Sequence, residues 1–424
     1  MPRETALAYV LGGGRGTRLD PLTRYRAKPA VPFGGMHRVI DFVLSNLYHS
    51  GVRKIRVLTQ FESESLQRHI ENGWYPRFGI GGDEYLKINP AKQSVARGWY
   101  LGTADAIHQN RRHIEDEKSN VVDIFGGDHI YMMDVSQMNE YHLKNEADLT
   151  ISAIPVEREL AAGNYGVLVV DDDWKLQGFE EKPKDPTPMP GNEKFCLASM
   201  GNYAFRPKVL LEELVMDAKK ETAEREDVDA NPEKFSTHDF GYDMIPQMLG
   251  SGRKIFVYNF NNNVVPGALE RERGFWRDIG SIDQFFDANM DVRKPEPLLN
   301  LYNPEWEILT YNECSQPAKI VGGVNGGGAI DSLFAPGVIV SHSSVKESVL
   351  SYDTRVKEGC DIKRALLLGG NIVGEGVVIK DAIVDKHVEV PDGERIGVDK
   401  ERDKERGFTI SNEGITVVPR GYCF

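Results

Sequence analysis

Three sets of residues in this 424-residue chain carry side chains suited to handling phosphate. The first is the stretch Gly12-Gly13-Gly14-Arg15-Gly16-Thr17-Arg18, followed by Lys28. Glycines let a backbone turn tightly and approach a ligand with no Cβ in the way. Successive N–H groups in such a turn form an anion-binding concavity. Arg15, Arg18 and Lys28 add three cations, and Pro21, Pro29 and Pro32 stiffen the chain beyond the glycines. The combination suits a polyphosphate. It is neither G-x-x-x-x-G-K-[ST] nor G-x-G-x-x-G, since Thr17 falls where the third glycine of the latter would stand.

The second set is a pair of carboxylates. Asp128 follows Gly126-Gly127 at the end of an apolar run, the place where open α/β sheets bind ligands. A carboxylate there can hold Mg²⁺ on a nucleotide phosphate, because Mg²⁺ takes one or two carboxylates with phosphate oxygens and water. Asp278 lies in Trp276-Arg277-Asp278-Ile279-Gly280. Brought together, the two could share a metal ion; the sequence by itself does not pair them, and a salt bridge from Asp278 to an arginine is the plain alternative. His129 is read as structural. The third set is Glu181-Lys182-Pro183, where a lysine at a strand end suits a phosphate monoester as a compact point charge.

These residues need a sheet to position them. Ala6 to Leu11 reads as a first strand. Ile40, Val43, Leu44, Leu47 and Tyr48 form one apolar helical face, with Gly51 as its stop. Ile55, Val57 and Leu58 make a second strand ending at Thr59-Gln60, so a β-α-β unit with a parallel sheet is expected. From Phe61 to Tyr100 the pattern loosens, and Gly73, Gly79, Gly81 and Gly82 predict a long surface excursion. A helix from Thr103 turns Ala104, Ile107 and Ile114 inward, and strands follow at 121–125 and 149–156. The runs 166–170 and 176–179 flank Asp171-Asp172-Asp173, a solvated hairpin turn without calcium-loop spacing. Asp217 to Lys234, charged and poor in apolar residues, predicts a helix end and a mobile loop. Strand and helix resume at 255–258 and 282–290.

Near Lys294 the character changes, and Pro295, Pro297 and Pro304 punctuate a linker. The expected division is residues 1–294, a linker over 295–316, and 317–424. The last part repeats: Val345, Ile362 and Ile379 open similar segments 17 residues apart, and Val356, Val373 and Val390 keep the same interval. Short aliphatic clusters at fixed spacing are what a parallel β-helix stacks into rungs; a β-sandwich is the alternative. Such coils leave an open edge for another chain or the rest of this one to cap.

The totals agree with a soluble globular chain of two or three domains, 27% charged and 40% hydrophobic. A net charge of −13 opposes binding to nucleic-acid backbones or anionic membranes. Cys196, Cys314, Cys360 and Cys423 are far apart with no C-x-x-C, which suggests reduced thiols in the cytoplasm. No signal peptide or membrane-spanning run is expected.

Taken in order, Gly13–Pro29, Gly126–Asp128, Glu181–Pro183 and Trp276–Gly280 resemble the motifs of sugar-nucleotide pyrophosphorylases. Closer markers resemble the bacterial ADP-glucose pyrophosphorylases: Arg26–Val31, Trp99-Tyr100 with Gly102–Ala106, Gly127–Tyr131, Ser199–Gly201 and His238–Gly241. The resemblance spans essentially the whole chain. It implies an α/β, Rossmann-like nucleotidyltransferase domain with a mostly parallel mixed sheet, then a left-handed parallel β-helix for regulation and assembly. It implies ATP and glucose 1-phosphate as substrates, Mg²⁺ as cofactor, and ADP-glucose for glycogen synthesis as product. It places Leu11, Gly12, Gly13, Gly14, Gly16, Thr17, Arg18, Gln60, Tyr100, Gly102 and Thr103 around ATP. Tyr100, Gly166, Glu181, Lys182 and Ser199 fall to glucose 1-phosphate, Asp128 and Asp278 to the metal, and Arg15 and Lys28 to catalysis with those two carboxylates. No covalent enzyme intermediate is expected.

The resemblance also implies a homotetramer regulated by small phosphorylated or carboxylate effectors. Enteric-type members carry a lysine after the Gly34-Gly35 pair that helps bind fructose 1,6-bisphosphate. Here Met36 stands there and cannot neutralise a phosphate, which leaves Arg38, Lys380 and Arg420 as candidate contacts and the activator open. A related nucleotidyltransferase with another base or sugar, and a regulatory subunit without catalysis, are the other functional classes. The Trp99–Ala106 match opposes the first, and the intact Arg15, Lys28, Asp128, Lys182 and Asp278 oppose the second.

Overall fold

The computed structural model describes residues 5–79, 83–91, 99–322 and 327–424. Its first half is built on a nine-stranded sheet. In chain order the strands are β1 (Ala6–Leu11), β2 (Lys54–Thr59), β3 (Tyr85–Pro90), β4 (Val121–Gly126), β5 (Leu149–Glu157), β6 (Gly166–Val170), β7 (Leu176–Glu181), β8 (Phe195–Phe205) and β9 (Ile255–Asn259). They lie in the order β7-β6-β8-β4-β1-β2-β3, with β5 joining β8 to β9. The β4-β1-β2-β3 portion is parallel, while β8 runs antiparallel to β4, β5 and β6. β1 is apolar throughout because both its faces are covered: Ala8 and Val10 pack into one core layer, Leu7 and Tyr9 into the other. The helix Val39–His49 forms where its apolar spacing predicts.

Two stretches are more ordered than their sequence suggests. Within the expected surface excursion lie the helix Glu64–Gly73 and β3, paired in parallel with β2; Gly81 and Gly82 lie outside the described residues. The helix's buried face is narrow, Leu66, His69, Ile70 and Gly73. Polar anchoring replaces apolar area: Asp41 accepts from His69 (2.6 Å), Trp74 Nε1 (2.8 Å), Thr310 Oγ1 (2.7 Å) and the Arg38 N–H (2.7 Å). The charged 217–234 stretch is likewise not a simple loop. It carries the short helix Arg225–Ala230, and Glu221-Thr222 pair in parallel with Phe235-Ser236.

The last part is a left-handed parallel β-helix. Val345 faces Ile362, Ile362 faces Ile379, and Ile379 faces Ile396; Val356, Val373 and Val390 make a second rung series. Each coil turns at left-handed residues that recur on the same interval: Glu347, Arg364 and Asp381; Asp353, Gly370 and His387; His342, Gly359, Gly376 and Gly393. One side of the coils is capped from within the chain. Leu366, Ile383 and Val417 share a core with Phe285 and Phe286 of the helix Ile282–Val292. Beside that core Arg26 Nη2 donates to both oxygens of Asp385, at 2.5 and 2.6 Å, with both residues almost fully buried.

Candidate active site

The carboxyl edge of the parallel strands gathers the phosphate-handling residues. Leu11 lies opposite both Leu58 and Gly126. Gly12 donates its N–H to Leu58 O (2.8 Å), and Gly127 donates to Leu11 O (3.1 Å). The glycine loop and the Gly126-Gly127-Asp128 turn therefore leave the sheet side by side. In the loop, the N–H groups of Gly13, Gly14 and Arg15 find no acceptor among the described residues, the condition of an anion cradle. Arg15, Thr17 and Arg18 are exposed around it. Gly16 is left-handed (φ 62°), and a Cβ there would meet Lys28 Cβ at 3.0 Å. Its missing side chain lets Lys28 pass beneath the loop.

Lys28 reaches the pair of carboxylates. Its Nζ lies 2.8 Å from Asp128 Oδ2 and 3.0 Å from Asp278 Oδ1. Asp278 arrives on a short antiparallel ribbon, Trp276–Asp278 against His129–Tyr131, which sets Asp278 opposite His129. Burial would raise the Asp128 carboxyl, but Lys28 and then His129 outweigh it and hold it down at about 2. For Lys28 burial would lower the ammonium, and Asp128 and Asp278 outweigh that and raise it. His129, read from sequence as structural, lies 3.5 Å from Asp128 and against the Trp276 ring. Ligand atoms of Asp128, His129 and Asp278 all fall within 4.8 Å of one another, an acidic cluster able to hold a metal ion.

Two further groups flank this centre. On one side the Tyr100 N–H donates to Gln60 Oε1 at 2.6 Å, joining the end of β2 to the segment that opens the helix Thr103–Gln109. On the other is a cleft of about 250 Å³ lined by Leu11, Gly166, Glu181, Ser199, Trp276 and Asp278, among others. Gly166, Glu181 and Ser199 are thus brought together, within reach of Asp278. Lys182 is exposed, in a left-handed backbone position after β7. Thr103, expected around the nucleotide, lines this same cleft and donates to Asp239 Oδ2 at 2.8 Å. Tyr203, Asp239 and Trp276 line the cleft and have no role assigned from sequence; the only signal is that Asp239 and Trp276 fall inside the family-like motifs.

Comparison with known proteins shows the family. A family model described as nucleotidyl transferase matches residues 7–295, and a GlmU-like C-terminal hexapeptide model matches 316–418. A glucose-1-phosphate adenylyltransferase of Trichlorobacter lovleyi is 45% identical over 419 residues, 98% of this chain and 97% of that protein. Those of Frankia casuarinae and Thermus thermophilus are each 44% identical, covering 99% and 100% of this chain and as much of their own. The chain belongs to the glucose-1-phosphate adenylyltransferase family. As a member of that family it is a nucleotidyltransferase by fold, and no helix among its described residues is long and apolar enough to cross a membrane.

The three effector candidates are not equally placed. Arg38 is partly buried and donates to Ser65 O (2.7 Å) and Ser65 Oγ (2.9 Å). Burial, opposed by Asp41 and reinforced by Arg26, lowers it to about 10. Arg420 is exposed and bears on His387. Lys380 instead pairs with Asp361 at 3.4 Å. A lysine that feels the charge of Arg38 is Lys386, lowered to about 8 by burial and then by Arg38. It is a residue with no repeat or motif to mark it.

Proposed function

We propose that this chain transfers the adenylyl group of ATP to α-D-glucose 1-phosphate, giving ADP-glucose and pyrophosphate. The observation that carries the reading is the Lys28–Asp128–Asp278 centre, set between a glycine loop with free N–H groups and a sugar-sized cleft. A phosphate oxygen of glucose 1-phosphate attacks the α-phosphorus of ATP in line. A new P–O bond forms as the bond to the β-phosphate bridging oxygen breaks, and pyrophosphate leaves with the electron pair. The attacking oxygen is already anionic, so no protein nucleophile and no strong base are needed.

The chain's own residues supply position and charge. The Gly12–Arg18 loop holds the triphosphate, with Arg15 and Arg18 neutralising its outer oxygens. Gln60, Tyr100 and Gly102 frame the nucleoside. Glu181, Ser199 and Gly166 seat the sugar, and Lys182 faces its phosphate. Lys28, buried against the two carboxylates, stabilises the charge that spreads over the transition state. Holding both reactants in one frame removes most of the entropic cost of their encounter. Asp128 and Asp278 fit Mg²⁺, since the site already demands positive charge between two oxygen donors. Bound there, the ion would screen the repulsion between the two anions.

Residues 1–294 would carry this reaction and 317–424 its regulation and assembly as a homotetramer, with small phosphorylated or carboxylate effectors held by Arg38, Lys380 and Arg420. The test is pyrophosphate release from ATP and glucose 1-phosphate with Mg²⁺, wild type against Asp128→Asn. Fructose 6-phosphate, fructose 1,6-bisphosphate, pyruvate and phosphate are added in turn. Release that needs both substrates and collapses in the variant supports the reading; a folded wild type inert under every effector overturns it and restores the regulatory-subunit class.

A further inference from the structure

His238 takes no part in the reaction above, yet it is fixed on every side. Its backbone is left-handed (φ 58°) and its side chain is buried. Nδ1 lies 2.7 Å from Asp217 Oδ2, and Nε2 lies 3.1 Å from Thr222 Oγ1. The other Asp217 oxygen accepts from Ser236 Oγ at 2.6 Å, and that hydroxyl accepts the His238 N–H at 2.9 Å. The ring is thereby tied to the end of the helix Pro207–Asp217 and to both strands of the small 221–236 excursion.

The backbone of the same residue faces the site. The His238 carbonyl accepts the Ala104 N–H at 2.8 Å. A Cβ on Gly102 would lie 2.2 Å from that oxygen, so the loop and the start of the helix Thr103–Gln109 are in the closest contact glycine permits. Next in the chain, Asp239 accepts from Thr103 Oγ1 (2.8 Å) and from the N–H groups of Gly241 (2.9 Å) and Tyr242 (3.1 Å). The Phe240 N–H donates to Thr103 Oγ1 at 3.0 Å. Thr103, Asp239 and Gly241 are wall residues of the sugar-sized cleft.

We propose that His238 is a positioning residue for glucose 1-phosphate: its ring, clamped by Asp217 and Thr222, sets the 237–241 loop so that Asp239, Gly241 and Thr103 hold the cleft wall in place. The proposal rests on the reading of that cleft as the sugar-phosphate seat. The charged groups facing the ring are Asp217 from the helix before the excursion, Asp105 from the helix Thr103–Gln109, and Asp243 from the turn after the loop. The hydrogen bond to Asp217, against the cost of burial and with the charges of Asp217, Asp105 and Asp243, raises the imidazole above its ordinary value of 6.5. The charge on the clamp is therefore fully present below that ordinary value and is lost as pH rises through the raised one, which leaves a weaker, neutral hydrogen bond from Nδ1 to Asp217.

The test uses the full-length protein and steady-state kinetics with each substrate varied across neutral and alkaline pH. His238→Ala removes the clamp and should raise KM for glucose 1-phosphate about tenfold, the worth of one charge-assisted hydrogen bond. The changes in kcat and in KM for ATP should stay within about threefold. His238→Asn tolerates the left-handed backbone and keeps a donor near Nδ1, but cannot be charged. It should recover part of the affinity and lose the alkaline rise in KM that the wild type shows. Asp217→Asn should also flatten the rise. An unaltered glucose 1-phosphate KM in His238→Ala, or an alkaline rise that persists in His238→Asn, overturns the assignment. A fall in stability that moves both KM values and kcat together would do so too. A wild type whose turnover ignores glucose 1-phosphate would instead overturn the function on which the proposal rests.

Discussion

The two halves of the molecule place their residues by opposite means. In the β-helix each side chain finds its partner one coil away, as Val345 finds Ile362 and Ile362 finds Ile379. In the sheet half Lys28 meets Asp128 and Asp278 across 100 and 250 residues of chain. A repeat distributes stability over many equivalent rungs, so losing one contact weakens its neighbourhood. A site built from distant segments has no equivalents, and one substitution removes a function that nothing else in the chain supplies.

Substituting Lys28 breaks the comparison hardest. Lys28→Met keeps the length of the side chain and removes its charge. Pyrophosphate release should fall at least about a thousandfold, about 4 kcal/mol of transition-state stabilisation. The variant also leaves two carboxylates facing each other. In the wild type Asp128 is held at about 2 against an ordinary 3.8. Its contribution to stability is then present above the ordinary value and lost only as pH falls through about 2. Without Lys28 that lowering largely disappears, so acid unfolding followed by circular dichroism should begin at a higher pH. A variant that keeps a tenth of wild-type turnover would take Lys28 out of the reaction.

The same contrast explains what is readable in the sequence. The rungs are visible because the repeat that writes them is also the repeat that pairs them, and the glycine loop is visible because its chemistry is contiguous. Gln60 and Tyr100, expected around one substrate, do touch. What cannot be read depends on pairing across the chain. The ribbon that sets Asp278 opposite His129 has no signal in either segment. The helix Glu64–Gly73 is obscured because His69 is bonded to Asp41 at 2.6 Å where an apolar side chain would have completed the pattern. Lys386 lies outside any motif, and only the fold brings it under the charge of Arg38.

Glycines sharpen the comparison, since each half uses them for a different reason. Gly102 has ordinary extended backbone (φ −156°, ψ −177°), so an alanine there carries no backbone strain. Its Cβ would instead lie 2.2 Å from His238 O and 2.5 Å from Thr237 O. These are backbone atoms of a loop fixed at both ends, and they cannot yield as a flexible side chain would. Gly102→Ala should therefore cost at least about 2 kcal/mol in urea denaturation. It should also raise KM for glucose 1-phosphate, because the displaced loop carries Asp239. Unchanged stability together with unchanged KM would mean that the loop moves aside freely.

Gly376 is the reverse case. It sits at a β-helix corner with φ 66°, and a Cβ there would meet nothing within 4 Å. Space is free and only the backbone objects. Gly376→Ala should cost about 1 kcal/mol, the penalty of the left-handed region for a residue with a Cβ. Gly376→Asn should cost less, because asparagine visits that region readily. Catalysis should be untouched in both. The corner series itself supports so small a figure: Arg364 and Asp381 occupy left-handed corners at φ 50° and 43° with full side chains, so the coils already tolerate this strain at other rungs. A loss from Gly376→Ala as large as that from Gly102→Ala would show that the corner carries more than backbone geometry, and that the rungs are less equivalent than their interval implies.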